Sequence, residues 1–410
     1  MKVLISAAEI SSDAHGAQLL SALRALLPAH EKLEAFGIGG VKLQEAGLET
    51  IADARDLLAM GSTEVLMRLP KILRALRSVT ASARDRRPDV AIVIDYPDFH
   101  FRLAKRLKEQ GVPVIYYIPP KVWVWRKRRV QILRERFAKI LCILPFEESF
   151  YREAGVSVKY VGNPLADELP LQISKSEARK KLGIDASTQM LALLPGSRPA
   201  ELKRHFELML NSAARAARRL RENGLLGGEE KLLARVSLTA NADREHFEKS
   251  LEVWRQKSSA PELEVVLSWD DSALVLASAD AGLIKSGTST LEAALLKCPH
   301  VVVYKPSGLT SFLFKHLVRY RGPVGLVNLF SGWKEGQPLV ARELLMDQLT
   351  VDSLSEEAYR LLTDESARAA MIAEFEKLRN LVTAGESASP SETAAREILE
   401  FAQALKRGGA

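Results

Sequence analysis

Short apolar runs alternate with helix-like stretches along most of the chain, and this alternation constrains the fold more than any other feature. The first half contains Val3–Ile5, Ala35–Ile38, Val90–Ile94, Val114–Ile118, Ile140–Leu144 and Val158–Val161. The second half contains Leu191–Leu194, Val236–Leu238, Val265–Leu267, Ala281–Ile284 and Val301–Val303. Such β-α alternation predicts an α/β protein with parallel, doubly wound sheets. A length of 410 residues favours two domains.

A stretch with two prolines and weak periodicity, Pro164–Glu177, separates the two series and is interpreted as a linker. We therefore predict one domain over residues 1–166 and a second over 167–385. A last segment, 386–410, carries a helix that could pack back on the first domain. Ligands of such sheets bind beyond the carboxyl ends of the strands. We expect two Rossmann-like sheets that face an interdomain cleft holding the site.

The positive charge is concentrated in the first half of the chain. The formal net charge is +7, and residues Met1–Ala166 contain 26 basic and 18 acidic residues, which gives +8. The remainder of the chain is therefore close to neutral. This distribution indicates that the first half meets something anionic, namely a phosphorylated substrate, an acidic membrane surface or nucleic acid.

Several function classes are disfavoured by what the sequence lacks. Cys142 and Cys298 stand apart in apolar surroundings and are interpreted as core residues of a cytoplasmic protein. No run reaches the ~18 apolar residues of a membrane span. The histidines lack metal-ligand spacing, and neither a G-x-G-x-x-G nor a Walker A motif is present. We expect no metal and no cofactor.

A turn rich in small hydroxyl residues follows strand Ala281–Ile284 and precedes a helical pattern. Its central residues, Ser286-Gly287-Thr288, would lie at a helix N-terminus, where free N–H groups and the helix dipole bind anions. From the local pattern alone, an ordinary capping box formed by Ser289 and Glu292 fits equally well.

A second strand-end turn, Gly196-Ser197-Arg198, opens the C-terminal half. Backbone N–H groups and a bidentate guanidinium suit a pyrophosphate, although an ordinary turn with a surface arginine has the same pattern. Together with Ser286-Gly287-Thr288, this turn favours a nucleotide diphosphate as the ligand of the second domain.

A carboxylate stands directly after the apolar strand Val90–Ile94. Asp95 would project from the carboxyl end of this strand out of low-dielectric surroundings, which raise a carboxyl pKa and suit a general base. The alternative is that Asp95 caps the next helix. Asp98 is the better candidate for that structural role, because apolar residues follow it.

Two basic stretches of the first half could meet lipid or phosphate. The first contains Trp125 and Arg126 within VWVWRKRR, where contact with a substrate phosphate or a lipid headgroup is favoured over nucleic acid. The second, Gly61–Arg77, has one apolar helical face, with Lys71, Arg74 and Arg77 elsewhere, and Pro70 suggests a break in it. It could lie in a membrane interface or pack on the sheet.

Taken together, these patterns resemble the lipid-A-disaccharide synthase family, whose members are inverting glycosyltransferases of the GT-B architecture. The resemblance runs from about Lys2 to about Leu345. It is carried by six ordered blocks: AEISSD (Ala8–Asp13), VIDYPDF (Val93–Phe99), VWVWR (Val122–Arg126), LPFEESFY (Leu144–Tyr151), LPGSR (Leu194–Arg198) and SGTSTLEAALLKCP (Ser286–Pro299).

The resemblance implies transfer of 2,3-diacylglucosamine from its UDP donor to 2,3-diacylglucosamine 1-phosphate. The products would be the β(1→6) lipid A disaccharide 1-phosphate and UDP, formed at the cytoplasmic face of the inner membrane by a peripherally bound enzyme. Domain 1–166 would bind the acceptor and domain 167–385 the donor. The implied catalytic residues are Asp95, Glu9 and Ser11. The implied donor-binding residues are Gly196, Ser197, Arg198, Ser286, Gly287, Thr288, Glu292 and Asn328. The implied acceptor or membrane residues are Asp98, Trp125, Arg126, Lys71, Arg74 and Arg77.

Two alternatives remain open from the sequence. One is another GT-B enzyme acting on a UDP-N-acetylhexosamine, either a lipid-linked glycosyltransferase or a 2-epimerase. The other is a non-catalytic basic protein that binds a membrane or nucleic acid, which would have no use for Asp95 or Arg198. A homo-oligomer is compatible with each of these hypotheses.

Overall fold

The computed structural model describes residues 1–28, 30–57, 62–125, 129–305, 322–383 and 388–408. The chain divides into two compact units. The first unit consists of Met1–Asp167 together with Leu381–Ala410, and the second consists of Glu168–Asn380. The chain therefore leaves the first unit after Asp167 and returns to it at Leu381, five residues before the start of the final segment expected from the sequence.

The first unit contains a sheet that has seven parallel strands over the described residues, in the order β3-β2-β1-β4-β5-β6-β7. The strands are β1 (Lys2–Ala7), β2 (Glu34–Gly39), β3 (Glu49–Asp53), β4 (Val90–Ile94), β5 (Val114–Tyr117), β6 (Lys139–Cys142) and β7 (Val158–Tyr160). The helices are α1 (Ile10–Leu26), α2 (Val41–Glu45), α3 (Ser62–Arg86), α4 (Pro97–Glu109), α5 (Val122–Trp125), α6 (Arg129–Arg136), α7 (Pro145–Glu153) and α8 (Leu165–Glu168).

The second unit contains a sheet of six parallel strands over the described residues, in the order β10-β9-β8-β11-β12-β13. The strands are β8 (Met190–Leu194), β9 (Leu232–Leu238), β10 (Leu263–Trp269), β11 (Ala281–Lys285), β12 (His300–Tyr304) and β13 (Glu343–Leu345). The helices are α9 (Lys175–Leu182), α10 (Pro199–Glu222), α11 (Arg244–Lys257), α12 (Ser272–Ser278), α13 (Thr288–Leu295), α14 (Leu326–Phe330), α15 (Val351–Thr363) and α16 (Glu365–Val382).

A last helix, α17 (Pro390–Gly408), belongs to the first unit. Successive strand residues point to opposite faces of a sheet, so each face of the first sheet has its own apolar core. α17 packs against α1 and supplies Ala394, Ala395 and Ile398, all fully buried, to one of these cores. An ion pair between Lys139 and Glu397 joins the same helix to β6.

Three local features differ from the sequence-based expectations. The edge strands β3 and β13 were not predicted, because β3 is only partly buried and β13 has three residues, so neither forms a long apolar run. The expected linker, Pro164–Glu177, includes α8 and the start of α9. The predicted break at Pro70 is wrong, since α3 runs through it as one helix. Among the described residues, no helix combines the length and the apolar content needed to cross a bilayer.

Candidate active site

The carboxylates of Glu9 and Asp95 follow two neighbouring strands of the first sheet. β1 and β4 are paired in parallel, with Ala7 opposite Ile94, and the order of the strands along the sheet reverses between them. A reversal of this kind opens a crevice at the carboxyl ends of the strands, where α/β proteins bind their ligands. Glu9 and Asp95 therefore lie at the expected site of the first unit.

The backbone of Asp95 adopts a left-handed conformation that favours glycine. Asp95 and Tyr96 have φ values of 52° and 48°, and each non-glycine residue in this region costs roughly 1–2 kcal/mol. The turn is held by hydrogen bonds to the Asp95 carbonyl from the Tyr116 hydroxyl, at 2.9 Å, and from Nδ1 of His100. The backbone N–H of Tyr96 donates to Oδ1 of Asp95 at 2.9 Å.

His100 connects this turn to the strand next to it. Its Nε2 lies 2.8 Å from the Ser6 hydroxyl of β1. Because Nδ1 donates to a carbonyl, Nε2 of the neutral ring must accept the Ser6 proton. Complete burial lowers the pKa of His100 to about 4, so the ring is neutral at physiological pH.

Asp95 lies among charged groups from two other elements of the first unit. Burial raises the pKa of Asp95, while the Tyr96 N–H, Lys121 and His15 act in the opposite direction. Lys121 follows β5, the strand next to β4; part of its side chain is exposed, while its amine is largely surrounded by protein. Burial lowers the pKa of Lys121, and the charges of Glu147 and Asp95 partly restore it.

Glu147 occupies the equivalent position after β6 and is 1% exposed. Its Oε1 accepts a hydrogen bond of 3.0 Å from the Trp123 indole N–H. Burial raises the pKa of Glu147 to about 7. Lys121, Glu147 and His100 were not among the predicted site residues. Their positions just beyond strands, as for Asp95, would have been the signal for Lys121 and Glu147.

The other residues of the AEISSD segment have distinct positions. Glu9 precedes α1, where its N–H donates to the Ser12 hydroxyl at 2.8 Å. Burial raises the pKa of Tyr96, and the charge of Glu9 adds to that effect, so Glu9 belongs to the same site as Tyr96. The backbone of Ser11 lies in α1, but its side chain is outside the described residues. Asp13 has a structural role, since its carboxylate accepts three backbone N–H bonds at the start of α2.

The residues predicted to meet the acceptor or a membrane are spread over several helices. Asp98 is exposed on α4 and pairs with Arg129 at 2.8 Å. Lys71, Arg74 and Arg77 are exposed on α3, where Lys71 pairs with Asp56 at 2.8 Å. Trp125 ends α5, but its side chain and the whole of Arg126 are outside the described residues.

The second unit contains a cavity of about 240 Å³ at the carboxyl ends of its central strands. β8 and β11 are paired in parallel, and the strand order reverses between them. The cavity is lined by Leu194, Gly196, Ser197, Glu201, Ser237, Leu238, Thr239, Asp270, Ser272, Lys285, Ser286, Gly287, Thr288, Ser289 and Glu292. Six of the eight predicted donor-binding residues thus line one cavity, together with Glu201 and Lys285, which were not predicted.

Each of the two predicted turns contributes a helix N-terminus to this cavity. Gly196 has a φ of 122°, and a Cβ atom at this position would come within 2.7 Å of Cβ of Glu201. The position therefore requires glycine, and Pro199 then starts α10. On the second side, Gly287 precedes α13, and Ser286 donates to the Val324 carbonyl at 3.0 Å.

The capping box that was considered for Ser289 and Glu292 does not form. α13 begins at Thr288, so the capping position is Gly287, which has no side chain. The Glu292 carboxyl instead bonds to the Thr288 side chain. Burial raises the pKa of Glu292 to about 7, and the bond from Thr288 partly opposes this shift.

Arg198 and Asn328 do not line the cavity. Arg198 is exposed at the start of α10, directly after Ser197, where its side chain is accessible to solvent. Asn328 is completely buried, and it bonds to the backbone of Ala341 through both its amide oxygen and nitrogen and to Glu343 through its nitrogen. These contacts occupy the polar atoms of the Asn328 side chain. The residue therefore supports the fold at this point and does not face a ligand.

Within the part of the chain that the structure describes, no three His, Cys, Asp or Glu side chains are grouped in a way that would hold a metal ion.

Two α/β units with parallel sheets, each with a strand-order reversal, define the GT-B class of nucleotide-sugar enzymes. The fold is similar to that of UDP-GlcNAc 2-epimerase from Neisseria meningitidis bound to UDP-GlcNAc, with a TM-score of 0.59 and 13% identity, over 98% of this chain and 99% of that one. It is also similar to the calicheamicin glycosyltransferase CalG4, with a TM-score of 0.55 and 14% identity, over 98% of each chain. At such identities the likeness concerns the fold alone.

The sequence comparisons define the family. Residues 3–398 match the family model described as lipid-A-disaccharide synthetase. The lipid-A-disaccharide synthase of Myxococcus xanthus is 38% identical over 98% of this chain and 97% of that protein. The enzyme of the same name from Anaeromyxobacter dehalogenans is 41% identical over 97% of each. The chain belongs to the lipid-A-disaccharide synthase family. It is a hexosyltransferase that uses a UDP-sugar donor and a lipid acceptor.

Proposed function

We propose that this protein transfers 2,3-diacylglucosamine from UDP-2,3-diacylglucosamine to 2,3-diacylglucosamine 1-phosphate. The products are the β(1→6) lipid A disaccharide 1-phosphate and UDP, with inversion at the anomeric carbon. Membership of the family supports the reaction type. The observation that carries the assignment of residues is the position of Asp95, a partly buried carboxylate at the strand-order reversal of the first sheet.

In this proposal Asp95 acts as the general base. Its carboxylate takes the proton of the acceptor 6-hydroxyl as that oxygen attacks the anomeric carbon of the donor. The new C–O bond forms on the face opposite the leaving group, and the bond between the anomeric carbon and the β-phosphate oxygen breaks. The electron pair of that bond leaves with UDP. Glu9 lies near the same turn and would help to orient the acceptor.

The second unit would hold the donor in the cavity between the turns that follow β8 and β11. The positive ends of the α10 and α13 helix dipoles favour the negative charge that builds up on the departing diphosphate. Arg198, exposed at the edge of one turn, can add a bidentate contact. Glu292, which lines the cavity, would bond a ribose hydroxyl of the nucleotide.

The assignment of Asp95 is tested by Asp95→Asn, which keeps the shape of the side chain but removes the base. We expect transfer to fall by roughly 10²- to 10⁴-fold, the usual contribution of a general base. The measurement is UDP release from UDP-diacylglucosamine with the diacyl acceptor, together with UDP binding, which should not change.

Asp85→Asn is the matched control, because Asp85 is an exposed aspartate of the same unit. It should transfer at the wild-type rate. Full transfer activity of Asp95→Asn would remove Asp95 from the mechanism, whereas wild-type protein that releases no UDP from these substrates would contradict the proposed reaction itself.

We also propose that the protein works at the cytoplasmic face of the inner membrane, bound peripherally. The support is the positive charge of the first half of the chain and the exposed basic residues of α3. Acylated substrates reside in a membrane, and anionic lipid attracts Lys and Arg side chains by ~1 kcal/mol each.

A further inference from the structure

A partly buried ion pair lies inside the donor cavity. Nζ of Lys285, at the end of β11, is 2.7 Å from Oε1 of Glu201 in the first turn of α10, and each side chain is 15% exposed. Both residues line the cavity together with Ser197 and Gly287. The pair therefore connects the two turns between which the donor is proposed to bind.

The second carboxylate oxygen of Glu201 accepts hydrogen bonds from backbone N–H groups of the turn that follows β8. Oε2 accepts from the N–H groups of Ser197 at 3.3 Å and Arg198 at 3.4 Å. Both bonds are longer than the usual 2.7–3.2 Å and are therefore weak. A carboxylate that takes one cation and two amides at a helix N-terminus has the contacts that a phosphate would take there. Glu201 thus acts as an internal anion.

The electrostatics of Glu201 agree with this role. Burial by itself raises the pKa of Glu201, but the hydrogen bond and charge of Lys285, with the two amides, outweigh it, so the pKa is lowered. The carboxylate is therefore ionised at physiological pH. A diphosphate brought to the same amides would meet a like charge, unless the carboxylate moves away.

The backbone of Glu201 is fixed, so such a movement involves the side chain alone. Nδ1 of His205 lies 2.8 Å from the Glu201 carbonyl, and its Nε2 accepts from the Lys305 N–H at 3.1 Å. Burial lowers the pKa of His205, which keeps the ring in the neutral form that this arrangement needs. Lys285 also makes a cation–π contact, since its Nζ lies 5.9 Å from the centre of the Tyr304 ring.

We propose that Lys285 binds the diphosphate of the donor, and that Glu201 is its counter-ion only while the donor is absent. When the donor enters, the diphosphate takes over Lys285 and the amides of Ser197 and Arg198, and the Glu201 carboxylate turns out to solvent. The proposal rests on the proposed function, because it names further residues of the same donor site.

The two members of the pair should then have opposite effects on the binding of UDP. Lys285→Met removes one charge-assisted hydrogen bond, so we expect UDP affinity to fall roughly 10- to 100-fold. Lys285→Arg keeps the charge and should stay within a few-fold of wild type. Glu201→Gln removes the competing charge, so it should bind UDP as tightly as wild type or more tightly. Isothermal titration of the full-length proteins with UDP measures each value.

Controls separate this inference from folding and from the proposed function. Lys297→Met is the matched control, because Lys297 pairs with Glu376 at 2.8 Å outside the cavity. If Lys285→Met does not fold, the double variant Glu201→Gln/Lys285→Met can be used, because it leaves no unpaired charge. Its UDP affinity is then compared with that of Glu201→Gln, and the same loss is expected.

Three results would contradict these expectations, and each would contradict a different part of the proposal. A UDP affinity of Lys285→Met within threefold of wild type would exclude Lys285 as a ligand. A loss of affinity in Glu201→Gln as large as that in Lys285→Met would make Glu201 a support of the turn and not a competitor. Wild-type protein that does not bind UDP would contradict the proposed function itself.

Discussion

At the scale of residues, the properties of Asp95 come from its backbone as much as from its carboxylate. Two successive left-handed residues aim the side chain beyond the strand, and the Tyr116 hydroxyl and His100 hold the carbonyl that allows this turn. The strain is offset by hydrogen bonds from two other elements, Tyr116 of β5 and His100 of α4. The proposed base would therefore be oriented by residues that have no chemical role of their own.

Lys121 should set the pH range in which Asp95 can act. A base must be ionised, so kcat/KM falls as the pH drops through the pKa of Asp95. Burial raises this pKa, and Lys121 opposes the increase along with His15 and the Tyr96 N–H. Lys121→Met should therefore move the acidic limb of the profile of kcat/KM against pH to higher pH.

The matched control for that profile is Lys105→Met, because Lys105 is an exposed lysine of the same unit. It should leave the acidic limb in place. The same midpoint in wild type and Lys121→Met would show that Lys121 does not act on the base.

Sequence patterns pointed to the carboxylate of Asp95 but not to its surroundings. Asp95 stands out because an apolar strand ends directly before it, and this signal depends on local sequence alone. Lys121, Glu147 and His100 act through contacts between different elements, and such contacts are set by the pairing of strands and not by the spacing of residues. Asn328 shows the opposite case, since the family resemblance implies a ligand contact while its bonds to Ala341 and Glu343 are internal.

At the scale of elements, buried strands were predictable and short or polar elements were not. Each apolar run of the sequence corresponds to a strand, because a parallel strand covered on both faces is apolar along its length. β3 and β13 lie at sheet edges, where this requirement is relaxed. α13 begins two residues earlier than the capping box pattern predicts, so Gly287 and not Ser289 holds the capping position.

Helix α3 is the element that we expect to bind lipid. Reversing the charges of Lys71, Arg74 and Arg77 should weaken binding to vesicles that contain phosphatidylglycerol by about 100-fold or more, at ~1 kcal/mol for each basic residue lost. Co-sedimentation with vesicles at low and physiological salt measures the effect.

A control with the same change in net charge lies on the second unit. Reversing Lys249, Arg255 and Lys257, which are exposed on α11, should leave vesicle binding near the wild-type level. Equal losses in both triple variants would mean that total charge, and not α3, determines the binding.

At the scale of the whole molecule, each unit contains a histidine that is buried and neutral. His100 lies in the first unit and His300 in the second, and complete burial lowers the pKa of each to about 4. Nδ1 of His300 lies 2.9 Å from the Cys298 carbonyl, and its ring stacks on Phe375. Unfolding would expose both rings and return their pKa to the ordinary value near 6.5.

The contribution of these two histidines to stability should therefore fall on acidification, whereas Glu147 and Glu292, whose pKa burial raises to about 7, act in the opposite direction. Above pH 6.5 both rings are neutral in either state, so they add no pH dependence. Below pH 6.5 the unfolded chain binds protons that the folded chain does not, and stability is lost down to about pH 4. The shift of His300 corresponds to roughly 3 kcal/mol.

Urea unfolding at pH 7, 5.5 and 4.5 measures this loss. His300→Phe keeps an aromatic ring against Phe375 and should reduce the loss on acidification, whereas the exposed His246→Phe should not. If the free energy of unfolding of His300→Phe falls with pH as steeply as that of wild type, His300 is not the source of the acid sensitivity.

The presence of two parallel sheets followed from the sequence, because it depends on the alternation of elements. The points at which the chain passes between the units were harder to predict from the sequence. The return to the first unit after Asn380 is fixed by tertiary contacts of α17 with α1, and small side chains such as Ala394 and Ala395 give little signal in a single sequence.

The position of α17 has a consequence for how the chain is made. During synthesis the ribosome releases Met1–Asp167 long before Pro390–Gly408. One apolar core of the first sheet, to which both α1 and α17 contribute, must stay incomplete until the entire second unit has been translated. The part of the molecule that is made first is thus the part that is completed last.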